Sequence, residues 1–437
     1  MLKETKAFQR LSKSMLLQCS ILFAGICAGL WISEYCFLIV AMITIVTSFF
    51  GKFDSAYYQL FFTLPFTMIY KLSPSSSSLF VYVVLVSTIT LIVRKQSLGK
   101  DQLLFLIIFA SYIIVGMGKN YTTVLKMISG FALFYIFVAK ISSANFKNHI
   151  IAFSLGMILS SSIGLLKGNW QRLDMYYSNM KTIYIGDVQS FRFTGLYLDP
   201  NYYSISVIFA LTLCLMLFLC KDGNRIFLGA MIGMLLIFGF MSYSKMFLLT
   251  ACIVILIFVL SRLRSLKQTL LTMVVLLICG GGLYKWMQSS GYIQIMTDRI
   301  FDGDISTGRF GIWKSYIKYI IDSPKTLLFG DGLGAEYLAV GGPHNTYIEI
   351  IYFLGLIGEI IFALVLFSTF RVKKYNNKRS IINYALPTLF CIMIATLGCL
   401  TINDLMFYFI LIWIGLNYDV NDEKQAVNIS KGRTWWK

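Results

Sequence analysis

Long uncharged apolar runs constrain this sequence more than any other feature. A helix that crosses a lipid bilayer needs about 20 predominantly apolar residues, and about 17 are tolerated. Of the 437 residues, 57% are hydrophobic and only 13% are charged, a balance unlike that of a soluble protein. The chain is therefore predicted to be an all-α polytopic membrane protein, which excludes a cytosolic enzyme, a secreted disulfide scaffold and a disordered protein.

The apolar runs predict fourteen transmembrane helices within one membrane domain at 1–437. Their predicted boundaries are Met15 to Ile32, Tyr35 to Phe50, Ser55 to Tyr70, Ser78 to Val93, Gln102 to Met117, Tyr121 to Ile141, Ile150 to Leu166, Asn201 to Cys220, Ile226 to Ser242, Met246 to Ser261, Thr269 to Trp286, Thr346 to Phe370, Ile381 to Leu400 and Leu405 to Tyr418. The first run lacks a small-residue cleavage site, so it is interpreted as a spanning segment.

The basic residues predict how these helices are oriented. The chain has 38 Lys and Arg against 20 Asp and Glu, for a formal charge of +18. Most of the basic residues fall in alternate connections, and cytoplasmic connections are the ones that retain positive charge. Both termini, including a tail at 419–437, are therefore predicted to be cytoplasmic. Because the charge is scattered between apolar runs, we expect contact with the lipid membrane and anionic lipid-linked groups, and not with nucleic acid.

Two connections, 167–200 and 288–345, are too long to be turns, and the span count puts both on the outer face. The second contains apolar residues at helical spacing, namely Phe310, Trp313, Ile317, Ile320 and Ile321. That spacing predicts an amphipathic helix near 309–321 that lies on the outer membrane interface. The glycines that follow it allow the chain to turn closely before the next span.

The stretch FRFTGLYLDPNYY at 191–203 joins the first outer loop to a span. Asp199 and Pro200 are typical of a helix N-cap and first helical residue. Capping does not explain Arg192 or Asn201. An arginine above the positive end of a helix can hold a diphosphate, because its guanidinium offers several donors in a rigid fork. Simple anchoring of Arg192 at the interface is the alternative.

The stretch GGPHNTY at 341–347 leads into another span. His344 lies there at the amino end of a predicted helix on the outer face. A neutral imidazole is favoured at such a position and can act as a general base near neutral pH. The alternative is that His344 is structural, as isolated histidines usually are. His149 flanks a span on the inner face and is interpreted as structural.

Two further basic residues lie at outer connections. Lys245 follows Ser244 between two spans, and Arg309 precedes the predicted interfacial helix. Each of them alone is explained as a residue that extends its charge to the membrane surface. Together with Arg192 and His344, they form a candidate site assembled from separate connections.

Other motif matches predict no additional chemistry. Asp302 and Asp304 have the Asp-x-Asp form of metal-dependent sugar transferases, but acidic loop residues are usually only solvated. The glycines of 330–334 lack the strand and helix that flank a nucleotide site. The nine cysteines lie in apolar runs and behave as small hydrophobic residues. No metal and no other cofactor is expected.

These motifs together resemble the O-antigen ligase and polymerase family of bacterial inner-membrane glycosyltransferases. The resemblance covers the second half of the chain, from Arg192 to about Gly358, whereas the first half is similar only in being a series of spans. The residues that carry it are Arg192 to Gly195, Asp199 to Asn201, Ser244, Lys245, Gly308, Arg309, Trp313, Pro343 to Asn345, Gly355 and Gly358.

The resemblance implies a GT-C-like, metal-independent, inverting glycosyltransferase whose active site faces the periplasm. Such enzymes take a glycan from an undecaprenyl diphosphate donor and transfer it to a sugar hydroxyl of the acceptor. Arg192 and Arg309 would bind the diphosphate, and His344 would accept the proton of the acceptor hydroxyl. The family often has arginine where this chain has Lys245, whose ammonium group cannot form the bidentate contact.

The remaining candidates are supporting residues. Asp199, Asn201, Asn345 and Glu349 are expected to support the site, and Asp199 or Glu349 is an alternative general base. Preorganised cations can replace a metal because the departing diphosphate already carries its charge well.

Three functions fit the sequence. The first is a polymerase that joins lipid-linked oligosaccharide repeats into O-antigen or capsular polysaccharide, with a chain-length regulator as a further candidate partner. The second is a ligase that transfers finished glycan to lipid A core, since it has the same motifs. The third is a polysaccharide flippase or other transporter, which should carry its polar residues near mid-bilayer in broken helices.

Overall fold

The computed structural model shows a helical protein with one short β-hairpin. The residues that the structure describes are 13–94, 121–140, 146–166, 173, 182–185, 188–220, 223–262, 270, 274, 280–282, 284–285, 287–297, 308–333, 335–370 and 405–417. The predictions that lie outside them are the spans from Gln102 to Met117 and from Ile381 to Leu400, most of the span from Thr269 to Trp286, the Asp302 and Asp304 motif, and the tail at 419–437.

The described elements follow the predicted spans closely. They are α1 (Lys13–Trp31), α2 (Cys36–Phe50), α3 (Phe53–Thr63), α4 (Leu79–Val93), α5 (Tyr121–Lys140), α6 (Phe146–Gly164), β1 (Thr182–Ile185), β2 (Val188–Phe191), α7 (Pro200–Leu219), α8 (Arg225–Met241), α9 (Lys245–Arg262), α10 (Tyr292–Thr297), α11 (Arg309–Asp322), α12 (Pro324–Phe329), α13 (Thr346–Phe370) and α14 (Leu405–Asn417).

Several of these helices have the composition of membrane spans. Three described segments are long and apolar enough to cross a bilayer, namely Lys13–Trp31, Pro200–Leu219 and Thr346–Leu364. Shorter apolar helices of 10–17 residues are Cys36–Phe50, Leu79–Val93, Ile128–Val138, Arg225–Met241 and Lys245–Leu260. The described part of the chain is therefore helical and contains segments that can cross a membrane.

Helix α7 lies at the centre of the bundle. It is almost entirely buried and packs against α6, α8, α9 and α14. Its predicted start is confirmed, because the carboxylate of Asp199 accepts a hydrogen bond from the amide of Asn201 at 2.7 Å and Pro200 is the first helical residue. This cap fixes where the chain leaves the RFTG segment and enters the core.

Contacts between helix termini define one end of the bundle, which we call the Arg192 end. There the C-terminal ends of α6 and α8 meet the N-terminal ends of α7 and α9. The hydroxyl oxygens of Ser161 and Tyr203 are 2.7 Å apart, and those of Ser204 and Ser242 are 3.3 Å apart. The Arg192 end therefore gathers connections that were predicted to share the outer face.

The opposite end of α6 belongs to a second set of termini, which we call the Arg94 end. Nη1 of Arg94 donates to the carbonyl oxygens of Ser48 at 2.8 Å and Gly51 at 3.1 Å. His149 is fully buried in the first turns of α6, with its ring centroid 4.5 Å from that of Tyr58. A histidine enclosed by aromatic rings in this way agrees with the structural interpretation of His149.

The predicted span from Ser55 to Tyr70 is wrong as a single continuous helix. Helix α3 has 11 residues and ends at Thr63, and a short 3₁₀ turn at Leu64–Phe66 follows it. Pro65 lies within that turn and has no amide hydrogen to continue the α-helical ladder. The segment is therefore a short helix buried within the bundle.

The predicted span from Thr346 to Phe370 is also interrupted. Gly355 has φ 68° and ψ −174°, so α13 consists of two helical halves. A straight helix would separate Tyr347 from Phe362 by about 22 Å along its axis. Their ring centroids lie only 6.5 Å apart. The two halves of α13 therefore meet at a sharp bend.

The backbone of α12 fills this bend. A Cβ atom on Gly355 would lie 2.2 Å from the carbonyl oxygen of Leu328, and one on Gly330 would lie 2.3 Å from the carbonyl carbon of Phe353. The amide of Gly332 donates to the carbonyl oxygen of Phe353 at 2.9 Å. Because no side chain fits at either contact, the two glycines allow α12 and α13 to join backbone to backbone.

The predicted helix near 309–321 is present as α11, and its apolar residues have different environments; its predicted position on the membrane interface stays a prediction. Ile320 is buried, and Nε1 of Trp313 donates a hydrogen bond into the protein. Phe310, Ile317 and Ile321 are 68%, 47% and 63% exposed. The apolar residues are thus divided between a face that packs on α13 and a face that is exposed.

Candidate functional site

Arg192 lies where the β-hairpin joins α7. The sequence did not predict this antiparallel hairpin, in which β2 ends at Phe191. The half-buried guanidinium of Arg192 donates from Nε to the carbonyl oxygen of Ser242 at 3.2 Å and from Nη2 to Oδ1 of Asn201 at 3.3 Å. Arg192 therefore links the end of α8 to the start of α7.

Asn201 joins a second connection to this cluster. Its Oδ1 also accepts a hydrogen bond from Oγ of Ser244 at 3.0 Å. Lys245 follows as the first residue of α9 and is half-buried. The structure thus brings together the connections that contain Arg192 and Lys245, with Asn201 bonded to both.

Close packing explains why the RFTG segment ends in a glycine, Gly195. Gly195 has φ 51°, and a Cβ atom there would lie 2.5 Å from the ring of Tyr203. A Cβ atom on Gly164, at the end of α6, would lie 2.7 Å from the carbonyl carbon of Gly195. The segment is therefore closely packed between α6 and α7, which holds Arg192 in a defined position.

Arg309 reaches the same region from the second outer loop. It is half-buried as the first residue of α11, and burial lowers the pKa of its guanidinium, while Asp199 and Tyr202 nearby act in the opposite direction. These interactions place Arg309 beside the N-terminal end of α7. Asp199 thus caps α7 and interacts electrostatically with Arg309.

His344 is connected to this region through α11. Nε1 of Trp313 donates to the carbonyl oxygen of Pro343 at 2.7 Å, immediately before His344. Arg309 and Trp313 are four residues apart, so they lie on the same face of α11. The side chain of His344 is exposed. One helix therefore positions both Arg309 and the loop that carries His344.

Asn345 and Glu349 have local structural roles. Oδ1 of Asn345 accepts a hydrogen bond from the amide of Tyr347 at 3.0 Å, as a residue that begins a helix does. Glu349 is 1% exposed and accepts a hydrogen bond from the hydroxyl of Tyr337 at 2.7 Å. Because Glu349 is buried and bonded, the exposed His344 is the better candidate for a group that meets an acceptor from solution.

Backbone strain marks the same region. Among the described residues other than glycine, positive φ angles occur at Tyr243, with 47°, and at His344, with 48°. Such conformations are uncommon for these residue types and concentrate at functional sites. Tyr243 lies between Ser242 and Ser244, the two serines bonded to Arg192 and Asn201. Sequence reasoning missed Tyr243, because SYSK contains no residue that favours positive φ.

The site offers donors suited to an anion. The guanidinium of Arg192 and the hydroxyl of Ser244 meet at Asn201, near the N-terminal ends of α7 and α9, and such donors bind phosphate oxygens strongly. Among the described residues, no group of three or more His, Cys, Asp and Glu side chains is arranged to hold a metal ion. The donors of this cluster are of the kind that binds a multiply charged oxyanion.

No family model, curated protein or solved structure matches the chain. The resemblance to the O-antigen ligase and polymerase family therefore remains an expectation from the sequence motifs.

Proposed function

We propose that this protein is a polymerase of lipid-linked oligosaccharide repeats in the bacterial inner membrane, producing O-antigen or capsular polysaccharide. One observation supports this proposal above the others. Connections that are far apart in the sequence, containing Arg192, Ser244 and Arg309, meet at the N-terminal end of α7. That cluster has the charge and the donors for the diphosphate of an undecaprenyl diphosphate donor.

In the proposed reaction, Arg192 and Arg309 bind the diphosphate, and Lys245 adds a third positive charge. His344 accepts the proton of the acceptor hydroxyl as its oxygen attacks the anomeric carbon. The bond from that carbon to the diphosphate oxygen breaks, and the leaving diphosphate retains the electron pair. The cations stabilise the charge that develops on it, so the transfer is metal-independent and inverts the anomeric configuration.

The proposed orientation puts the Arg192 end on the periplasmic face. It keeps both termini in the cytoplasm and counts fourteen crossings, with the interrupted segments at 55–70 and 346–370 each taken as one crossing. It follows from the positive residues of the alternate connections. The lipid-linked donor and acceptor would then reach the site from the outer leaflet.

The test is polymerisation by the purified protein in lipid nanodiscs. Supplied with a lipid-linked repeat alone, the protein is expected to produce a ladder of longer glycans. The variants Arg192→Ala and Arg309→Ala should produce markedly less at equal protein amounts. Transfer onto lipid A core without a ladder would instead identify the ligase, and the absence of both products would refute glycosyl transfer.

One observation favours the transporter alternative. Helix α13 is broken at Gly355, and Oε2 of Glu359, in its second half, is buried without a hydrogen-bond partner among the described residues. Acidic residues in broken apolar helices are typical of transport pathways. Proteoliposomes distinguish the two functions, since a transporter moves a labelled lipid-linked repeat across the bilayer without lengthening it, whereas a polymerase lengthens repeats on one face.

A further inference from the structure

The backbone of Tyr243 makes its side chain worth explaining. A tyrosine with a φ of 47° is less favourable there than glycine or asparagine, by about 1–2 kcal/mol. Either of those residues would form the turn between α8 and α9 more easily. The turn alone therefore does not account for the tyrosine side chain.

The turn that carries Tyr243 lies beside the proposed diphosphate site. Its two neighbours in the turn make the contacts described above: the carbonyl oxygen of Ser242 accepts from Arg192, and the hydroxyl of Ser244 donates to Asn201. A ligand held by Arg192 would therefore be close to the turn that carries the Tyr243 ring.

The second outer loop supports the ring from one side. Tyr292 of α10 stacks on Tyr243 with ring centroids 4.9 Å apart and an interplanar angle of 24°. Tyr292 is fully buried, and its ring meets that of Phe240 edge to face at 5.9 Å. Tyr243 itself is only half-buried. A rigid aromatic surface is thus held at the site with part of its area accessible.

Sugar rings have an apolar C–H face that packs on aromatic rings, while their hydroxyl groups remain at the edges. We propose that Tyr243 binds the sugar attached directly to the diphosphate of the lipid-linked glycan, by stacking against its ring. This inference rests on the proposed function, because it requires a diphosphate-linked glycan at Arg192. It adds a sugar-binding position that the family motifs do not include.

The test compares two ligands in nanodiscs: undecaprenyl diphosphate, and the lipid-linked repeat extracted from cells that make it. The variant Tyr243→Phe retains the ring. Tyr243→Gly and Tyr243→Asn remove the ring but favour the observed backbone, so both should fold. We expect these two variants to bind the lipid-linked repeat about tenfold more weakly than the unmodified protein does. They should bind sugar-free undecaprenyl diphosphate normally. Tyr243→Phe should bind both ligands as the unmodified protein does.

A matched control is Tyr35→Gly, which removes an exposed tyrosine from the connection between α1 and α2 and should change neither affinity. Unchanged binding of the repeat by both ring-free variants would overturn the inference while leaving the proposed function intact. Equal weakening for both ligands would also overturn it, because the turn and not the ring would then be responsible. If the unmodified protein bound neither ligand, the proposed function would fail and this inference with it.

Discussion

Arg94 at one end of the bundle, and Arg309 and Lys245 at the other, lie at opposite ends of helix dipoles. Arg94 donates to carbonyl groups at the C-terminal end of α2, where the helix dipole attracts a cation. Arg309 and Lys245 are instead the first residues of α11 and α9, where the dipole repels a cation. Arg94 therefore has a structural reason for its position, as has Arg192 in its contact with the carbonyl oxygen of Ser242, whereas Arg309 and Lys245 occupy positions that favour an anionic ligand.

The cost of placing a cation at a helix N-terminus also supports an anionic ligand at the Arg192 end. A charge at the unfavourable end of a helix costs roughly 0.3–1 kcal/mol. Asp199 compensates part of this for Arg309, but it also uses its carboxylate to cap α7. An anion bound among Arg192, Lys245 and Arg309 would convert the repulsion at these helix ends into attraction.

The largest expected effect on polymerisation comes from replacing His344, the proposed general base at the Arg192 end. The variant His344→Asn tolerates the positive φ angle, so it removes the imidazole with little backbone strain. We expect glycan polymerisation to fall by about 100-fold or more, since general base catalysis commonly contributes that much. The measurement is the rate of ladder formation at equal protein amount. Activity near that of the unmodified protein would remove His344 from the mechanism.

Replacing Arg309 and replacing Arg94 are expected to have different consequences for ligand binding and for stability. Arg309→Ala should weaken undecaprenyl diphosphate binding by about tenfold to a hundredfold, because a charged hydrogen bond contributes roughly 1.5–3 kcal/mol. Arg94→Ala should leave binding unchanged and lower thermal stability by about 1 kcal/mol. Affinity measurements and melting curves in detergent test both variants. If Arg94→Ala weakened binding as much as Arg309→Ala, the proposed contrast between the two ends would be wrong.

Because α13 bends at Gly355, a substitution there is expected to lower the stability of the protein and to alter the candidate site. In Gly355→Ala the new Cβ atom would meet the carbonyl oxygen of Leu328 in a backbone conformation reserved for glycine. We expect a destabilisation of about 3 kcal/mol, with lower activity because α12 is displaced. The matched control is Gly233→Ala in α8, where a Cβ atom has nothing within 4 Å. That variant should melt at the same or a slightly higher temperature, and equal melting of the two variants would contradict the predicted clash.

The smallest expected effect concerns Lys245. The variant Lys245→Arg restores the guanidinium that the family often has, and it keeps the charge at the start of α9. We expect diphosphate affinity to change by no more than about threefold, because Arg192 and Arg309 already supply the forked donors. A much larger gain would show that the ammonium group limits binding at this site.

The sequence predicted what depends on local pattern. Apolar runs located most described helices, and Asp199 with Pro200 predicted the start of α7. The bend at Gly355 could not be predicted, because it depends on the backbone of Leu328 in a different helix. The contact of Trp313 with Pro343 could not be predicted for a similar reason, since it joins two segments that are distant in the sequence.

The candidate site was predictable only as a set of residues. The motifs indicated Arg192, Arg309 and His344, but their links through Asn201 and Trp313 are side-chain contacts between distant segments. Tyr243 gave no signal at all, because a strained turn is a product of the packing around it. Sequence patterns thus indicated which groups carry charge, and the tertiary contacts determined which of them are neighbours.

The backbone contact between Leu328 and Gly355 restricts how α12 can move relative to α13. Without an intervening side chain to change rotamer, we expect the hairpin of α11 and α12 to move as one body with the start of α13. Arg309 and His344 would then move together, and Arg192 and Lys245 would stay with the central helices. In the proposed reaction, a long glycan would enter through a cleft between these two pairs, and a crosslink across that cleft would trap the product inside.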